Sequence, residues 1–206
     1  MHKDILTSNQ KELLPLLKMF RKDFYLVGGT AIALQIGHRR SIDFDLFTNS
    51  DSLNIRQIKA RYKEVKFDGK RIIYEAFDQF HIMINDVKIT FFAFPYPIKT
   101  AISHDSFFSM PNLLTLAAMK VFALGGRAKW KDYVDLYYIL KSHHTLDQIS
   151  RKVEKVFEDM FSAKLLRQQL SYFEDIDYSE KVEFIGNEVS QDKVKEFLIN
   201  IATKKI

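Results

Sequence analysis

The sequence predicts an α+β protein in which an N-terminal mixed or antiparallel sheet with flanking helices precedes a C-terminal helical bundle. Three observations predict it. Short β-rich runs separated by turn pairs fill the chain up to Phe94, apolar residues at helical spacing fill it from Pro111 onward, and Pro95-Tyr96-Pro97 ends the first pattern. The expected division is residues 1–108 and 109–206, the second part completing a cleft begun by the first.

Taken in order, Ile5 to Phe20 has Leu13, Leu14, Leu17 and Phe20 at helical spacing and predicts an amphipathic helix. Phe24 to Val27 is a short apolar run ended by two glycines, a buried strand, and Thr30 to Ile36 is a brief helix stopped by Gly37. Ile42 to Phe47 is the next strand and Asp51 to Tyr62 the next helix. Asp68-Gly69 and Asn85-Asp86 are turn pairs within an antiparallel meander of strands near Glu64 to Phe67, Arg71 to Phe77, Phe80 to Asn85 and Val87 to Phe94. A linker then runs to about Ser109. Helices are expected over Asn112 to Leu124, Lys131 to Lys141, Leu146 to Phe161, Lys164 to Phe173 and Gln191 to Thr203.

At 206 residues the chain is long enough for one sizeable domain or two small ones, and with 47% hydrophobic and 28% charged residues it has the composition of a folded protein rather than a disordered segment. No apolar run reaches eighteen residues and Met1-His2-Lys3-Asp4 lacks a signal-peptide core, so neither membrane insertion nor secretion is expected and a cytoplasmic location is. The absence of cysteine excludes disulfides, thiolate metal sites and cysteine nucleophiles. Carboxylates, histidines and water are then the candidate ligands, and oxygen donors favour magnesium or manganese. A net charge of +5 suits a polyanionic partner.

Asp43 and Asp45 occupy alternate positions of a predicted strand, so both project from one face with Cα atoms roughly 6.5 to 7 Å apart. Paired carboxylates of this kind can share divalent cations in phosphoryl or nucleotidyl transfer. Aspartate is disfavoured inside strands, and a solvated edge strand is the plainer explanation of Asp-x-Asp alone. Gly28-Gly29 changes that balance: it ends a buried strand and opens a helix, where backbone N–H groups can face triphosphate oxygens. His38, Arg39 and Arg40 crowd the loop before the aspartates and are either a solvated basic loop or contacts to triphosphate or RNA.

In the helical half, Lys120 lies on the stripe of Leu113, Leu116, Ala117 and Leu124, so its ammonium either snorkels to solvent or requires an anionic partner. Arg127 follows Gly125-Gly126 at a helix end, where it serves the helix dipole or grips phosphate. Asp132 and Asp135 are one turn apart. Asp132 can be a first-turn charge, whereas Asp135, flanked by Val134, Leu136 and Tyr137, is expected to face a site or pair with Lys120. The aromatic cluster Phe91, Phe92, Phe94 and Tyr96 reads as packing, and His143-His144 has no third ligand at metal spacing.

The joint pattern, apolar-Gly-Gly, thirteen residues, Asp-apolar-Asp-apolar, resembles the signature of the DNA polymerase β-like nucleotidyltransferase superfamily. More narrowly, Val27-Gly28-Gly29-Thr30-Ala31, Gly37-His38-Arg39, Ser41-Ile42-Asp43-Phe44-Asp45-Leu46-Phe47, Phe94-Pro95-Tyr96-Pro97, Ala117-Ala118-Met119-Lys120 and Lys131-Asp132-Tyr133-Val134-Asp135-Leu136 resemble the AbiEii/AbiGii toxin-type nucleotidyltransferases. The likeness spans most of the chain. It implies a nucleotidyltransferase-like N-terminal domain and a metal-dependent transfer of NMP from an NTP to an acceptor hydroxyl. The acceptor would be tRNA or other RNA, and the protein the toxin of a toxin–antitoxin or phage-defence system with a cognate antitoxin. By the same resemblance Asp43 and Asp45 hold Mg2+ or Mn2+, and Gly28, Gly29, Thr30, Arg39, Ser41, Lys120 and Arg127 hold the nucleotide. Lys120 and Asp135 join the two aspartates as catalytic residues. One departure stands out: Thr90 occupies the position where many such enzymes carry a third carboxylate. Glu75, Asp86 or Asp135 could supply one instead. A catalytically silent NTP- or RNA-binding module, or a small-molecule transferase of the antibiotic-modifying kind, are the alternatives.

Overall fold

Residues 1–64, 66–67, 69–104 and 107–204 are described by a computed structural model, in which the chain divides into two units. One comprises Met1–Ile36 with Ser41–Asn112, the other Gly37–Arg40 with Leu113–Ile206. The fold is α+β, as expected.

In the first unit a 3-10 turn at Lys3–Ile5 leads to α1 (Ser8–Phe20), begun by a capping box. The Thr7 hydroxyl accepts from the Gln10 N–H at 3.2 Å, and the Gln10 side chain accepts from the Thr7 N–H at 3.1 Å, satisfying two otherwise orphaned donors. Next come β1 (Tyr25–Val27), α2 (Gly28–Ile36), β2 (Phe44–Thr48) and α3 (Ile55–Glu64), the last capped by Asn54, whose Oδ1 accepts from the Gln57 N–H. The meander β3 (Arg71–Glu75), β4 (Gln79–Ile84) and β5 (Val87–Ala93) follows. Asn85 and Asp86, both at positive φ (49° and 61°), form the two-residue turn that joins β4 to β5.

These strands form one sheet in the order β1-β2-β5-β4-β3, with β2 and β5 parallel and every other pair antiparallel. One face is dry: Phe44, Leu46, Phe80, Ile82, Ile89 and Phe91 are buried, and Phe91 meets the Phe20 ring of α1 edge-on at 4.7 Å. Burial at strict period 2 along β4 and β5 leaves the alternate residues half-exposed on the other face.

Two expectations for this unit change. The strand expected near Glu64 to Phe67 is not formed at Glu64, which ends α3, while Val65 and the Asp68 of the expected Asp68-Gly69 turn lie outside the described residues. The linker expected up to Ser109 contains a two-stranded ribbon, β6 (Ile102–His104) with β7 (Phe108–Met110). Its Phe108 and Met110 are buried on either side of half-buried Ser109, a signal too short to read in the sequence.

The second unit contains α4 (Leu113–Leu124), α5 (Trp130–Ser142), α6 (Leu146–Phe157), α7 (Ala163–Gln169) and α8 (Gln191–Thr203). α4 is buried on most sides, which explains its weak amphipathicity. The helix expected to continue to Phe161 stops at Phe157 because Glu158 takes a positive φ of 47° and a 3-10 turn follows. Gly37–Arg40 joins this unit through main-chain bonds: Arg40 N–H donates to the Glu183 carbonyl at 2.8 Å and Ile185 N–H to the His38 carbonyl at 3.0 Å.

Candidate active site

Gly28 stands where β1 becomes α2, at φ +71°, and a Cβ built on it would run into Asp45 Oδ2. Glycine is therefore required twice, by backbone conformation and by the carboxylate beside it. Gly28, Gly29 and Thr30 are the first residues of α2, where N–H groups lack partners within the helix and the dipole favours negative charge.

The approach to β2 is pinned from two helices. Thr30, buried on α2, donates its hydroxyl to the Asp43 carbonyl and also lies 3.3 Å from the Ser41 carbonyl, which accepts the Gln10 amide of α1 at 2.9 Å. Thr30 and Ser41 thus fix the backbone that presents the aspartates. Asp43, one residue before β2, has a 42% exposed side chain 3.4 Å from the half-exposed Lys88 ammonium, a solvent-screened pair. Asp45 pairs across the parallel ladder with Thr90, so Thr90 does lie beside the carboxylates. Glu75 does not: it is opposite Phe80 and binds Lys59 of α3 on the other face, and Asp86 is in the β4–β5 turn.

Among the described residues no group of three or more His, Asp or Glu could hold a metal ion. Asp43 and Asp45 nevertheless fit a hard cation of the magnesium type, which takes one or two carboxylates and completes its shell with water and substrate phosphates.

The second unit holds a buried charge cluster. Lys120 on α4, 6% exposed, sends its ammonium to Asp132 Oδ1 at 2.7 Å and Asp135 Oδ2 at 3.0 Å on α5. Asp135, wholly buried, also accepts from Arg39 Nε at 2.7 Å, Arg39 Nη2 at 2.9 Å and His38 Nε2 at 2.7 Å. The remaining Arg39 nitrogen, Nη1, donates to the Arg40 carbonyl, so this guanidinium is committed inside the protein. Arg127 differs: its Nε donates to Asp132 Oδ2 at 3.2 Å while 53% of its side chain stays exposed.

Burial alone would raise the Asp135 carboxyl, but Arg39 and Lys120 outweigh it and hold Asp135 well below the usual carboxylate range. Lys120 is lowered by burial and raised more by Asp132 and Asp135, so it stays charged. His38 goes the other way, lowered by burial despite Asp135, so it is neutral and donates from Nε2. Asp132 is the residue whose weight the sequence understated. Its i, i+3 relation to Asp135 on one helix face was the available signal.

A model of the family described as nucleotidyl transferase AbiEii toxin, type IV TA system, matches residues 17–203. An uncharacterized protein of Aquifex aeolicus is 32% identical over 191 residues, covering 86% of this chain and 89% of that one. Among solved structures, the nucleotidyltransferase toxin MenT4 of Mycobacterium tuberculosis superposes with a TM-score of 0.61 at 14% identity, over 94% of this chain and 81% of that one. JHP933 of Helicobacter pylori gives 0.56 at 15% identity, over 96% and 91%. At such identities the two structures speak to fold alone.

Proposed function

The chain belongs to the AbiEii nucleotidyltransferase toxin family, and from that premise we propose that it moves NMP from a metal-bound NTP to an acceptor hydroxyl of RNA, tRNA included, under restraint by a cognate antitoxin. The observation that carries this reading is the seat of Asp45 against Gly28, which joins a helix N-terminus suited to phosphate with a carboxylate pair suited to a cation.

Asp43 and Asp45 hold the metal, and backbone N–H groups at Gly28 and Gly29 receive phosphate oxygens. Thr30 and Ser41 act on the nucleotide through the backbone they fix. Magnesium or manganese, when bound, supplies charge neutralisation on the phosphates. In the second unit Arg127 is the half-exposed cation suited to an anionic ligand. Lys120, Asp132, Asp135 and Arg39 form the fixed charge array behind it. The net charge of +5 favours a polyanionic acceptor.

The test incubates the protein with each labelled NTP, magnesium and unfractionated cellular RNA. Label should enter RNA with one NTP preferred, and Asp45→Asn should reduce the rate by on the order of 10²-fold or more. Equal labelling by the variant, or label in no RNA, would sink the proposal.

A further inference from the structure

The half-exposed face of the sheet carries a row of side chains that runs across four strands. Asp45 on β2 is registered with Thr90 on β5, Thr90 with His81 on β4, and His81 with Tyr74 on β3. Neighbouring strands are roughly 4.8 Å apart, so the imidazole starts about two strand spacings from the Asp45 backbone. The His81 and Tyr74 rings lie 5.3 Å apart, which fixes the imidazole from its outer side.

Two properties of His81 are unexplained by packing. Its Nε2 is shielded from solvent and makes no hydrogen bond, an arrangement that calls for a reason. Its ring is also a neutral base on this face. Among the described residues there, Asp43 and Asp45 are assigned to the metal, Lys88 and Arg71 are cations, and the Thr90 hydroxyl is too weak a base to take a proton. Burial, and secondarily the Lys88 ammonium, lower His81 from its ordinary value, so it is neutral at neutral pH.

Resting on the nucleotidyl-transfer reading above, we propose that His81 is a catalytic residue that takes the proton of the attacking acceptor hydroxyl. Nδ1 of His81, the ring nitrogen that is not shielded, receives the O–H proton as the oxygen forms its bond to the α-phosphorus. The bond from that phosphorus to the pyrophosphate oxygen breaks, and pyrophosphate leaves with that electron pair. Tyr74 is a positioning residue for the ring. The Thr90 position is left with a packing role that an acid could take over.

The experiment measures initial rates of label transfer from the preferred NTP to cellular RNA, at saturating NTP across pH 5 to 9, for wild type, Asp45→Asn, His81→Gln and the double variant His81→Gln/Thr90→Asp. His81→Gln should lower the saturated rate by about 10²-fold with KM for the NTP within about threefold, and should erase the acid limb of the wild-type pH profile. The double variant should regain at least about tenfold of the loss, because a carboxylate beside Asp45 can accept the proton instead. A saturated rate within threefold of wild type for His81→Gln overturns the proposal. So does a lowered rate whose acid limb persists, or a double variant no faster than the single one. If wild type shows no Asp45-dependent transfer at all, the underlying reading falls and this one with it.

Discussion

Gly28 lies so close to Asp45 that the volume of a Cβ on the glycine is already filled by the carboxylate oxygen of the aspartate. Gly28→Ala must strain a backbone at φ +71° and also push Asp45 aside. The expected cost is about 1–3 kcal/mol in urea denaturation, with transfer activity reduced by more than the stability loss explains. A fully active alanine variant would remove the basis for the glycine assignment.

Thr30→Val keeps shape but deletes the hydroxyl that ties α2 to the Asp43 carbonyl. Leaving that carbonyl without its donor should cost about 1–3 kcal/mol. Because Asp43 is carried by the same backbone, the rate at saturating NTP should fall while the fold persists, checked by pairing kinetics with a melting curve.

Arg39 and Asp135 form a two-bond fork in which both residues are at most 2% exposed. Arg39→Ala leaves Asp135 with less compensating charge and should destabilise the protein by about 3–5 kcal/mol. Arg39→Lys restores charge without the fork and should recover part of that loss. Denaturant midpoints for the two variants test the order.

His38 gives a pH dependence whose sign follows from its depressed folded-state value. The stability it contributes is fully present above the unfolded imidazole value of about 6.5. It declines as pH falls from there toward the lower folded value, because the unfolded chain binds a proton that the folded chain excludes. The slope is at most about 1.4 kcal/mol per pH unit. His38→Gln, which can still donate to Asp135, should lack this segment when denaturant midpoints at pH 7.5 and 5.5 are compared. Asp135, held low, adds an acid loss only below the ordinary carboxylate range.

Removal of divalent metal should abolish transfer, and magnesium or manganese should restore it, since two carboxylates alone provide an incomplete shell. Activity that survives chelation would remove Asp43 and Asp45 from the metal role.

Much of this was legible in the sequence because local chemistry decided it. Strand β1, the glycine turn and α2 are fixed by residues within a dozen positions, and Asn85-Asp86 specifies its own turn. α8 was read to its ends, helped by Ser190, whose hydroxyl accepts from the Lys193 N–H. What local pattern could not carry was long-range pairing. The β2–β5 parallel register that brings Thr90 to Asp45 depends on residues 45 positions apart in sequence, and the short β6–β7 ribbon depends on pairing more than on its own propensity. In the helical half, the pairing of Lys120 with Asp135 was expected from an apolar stripe. The full commitment of Arg39 to the same carboxylate was not, because a basic loop reads as solvated unless its distant acid is known.

The assignment of Gly37–Arg40 to the second unit has a consequence for how the chain matures. Arg39 leaves the ribosome 96 residues ahead of the carboxylate it serves. The C-terminal helices therefore cannot finish their charge cluster from their own residues, and a fragment beginning at Leu113 would keep Asp135 and Lys120 but lack the fork and His38. The second unit is thus completed only by residues from the first half of the sequence.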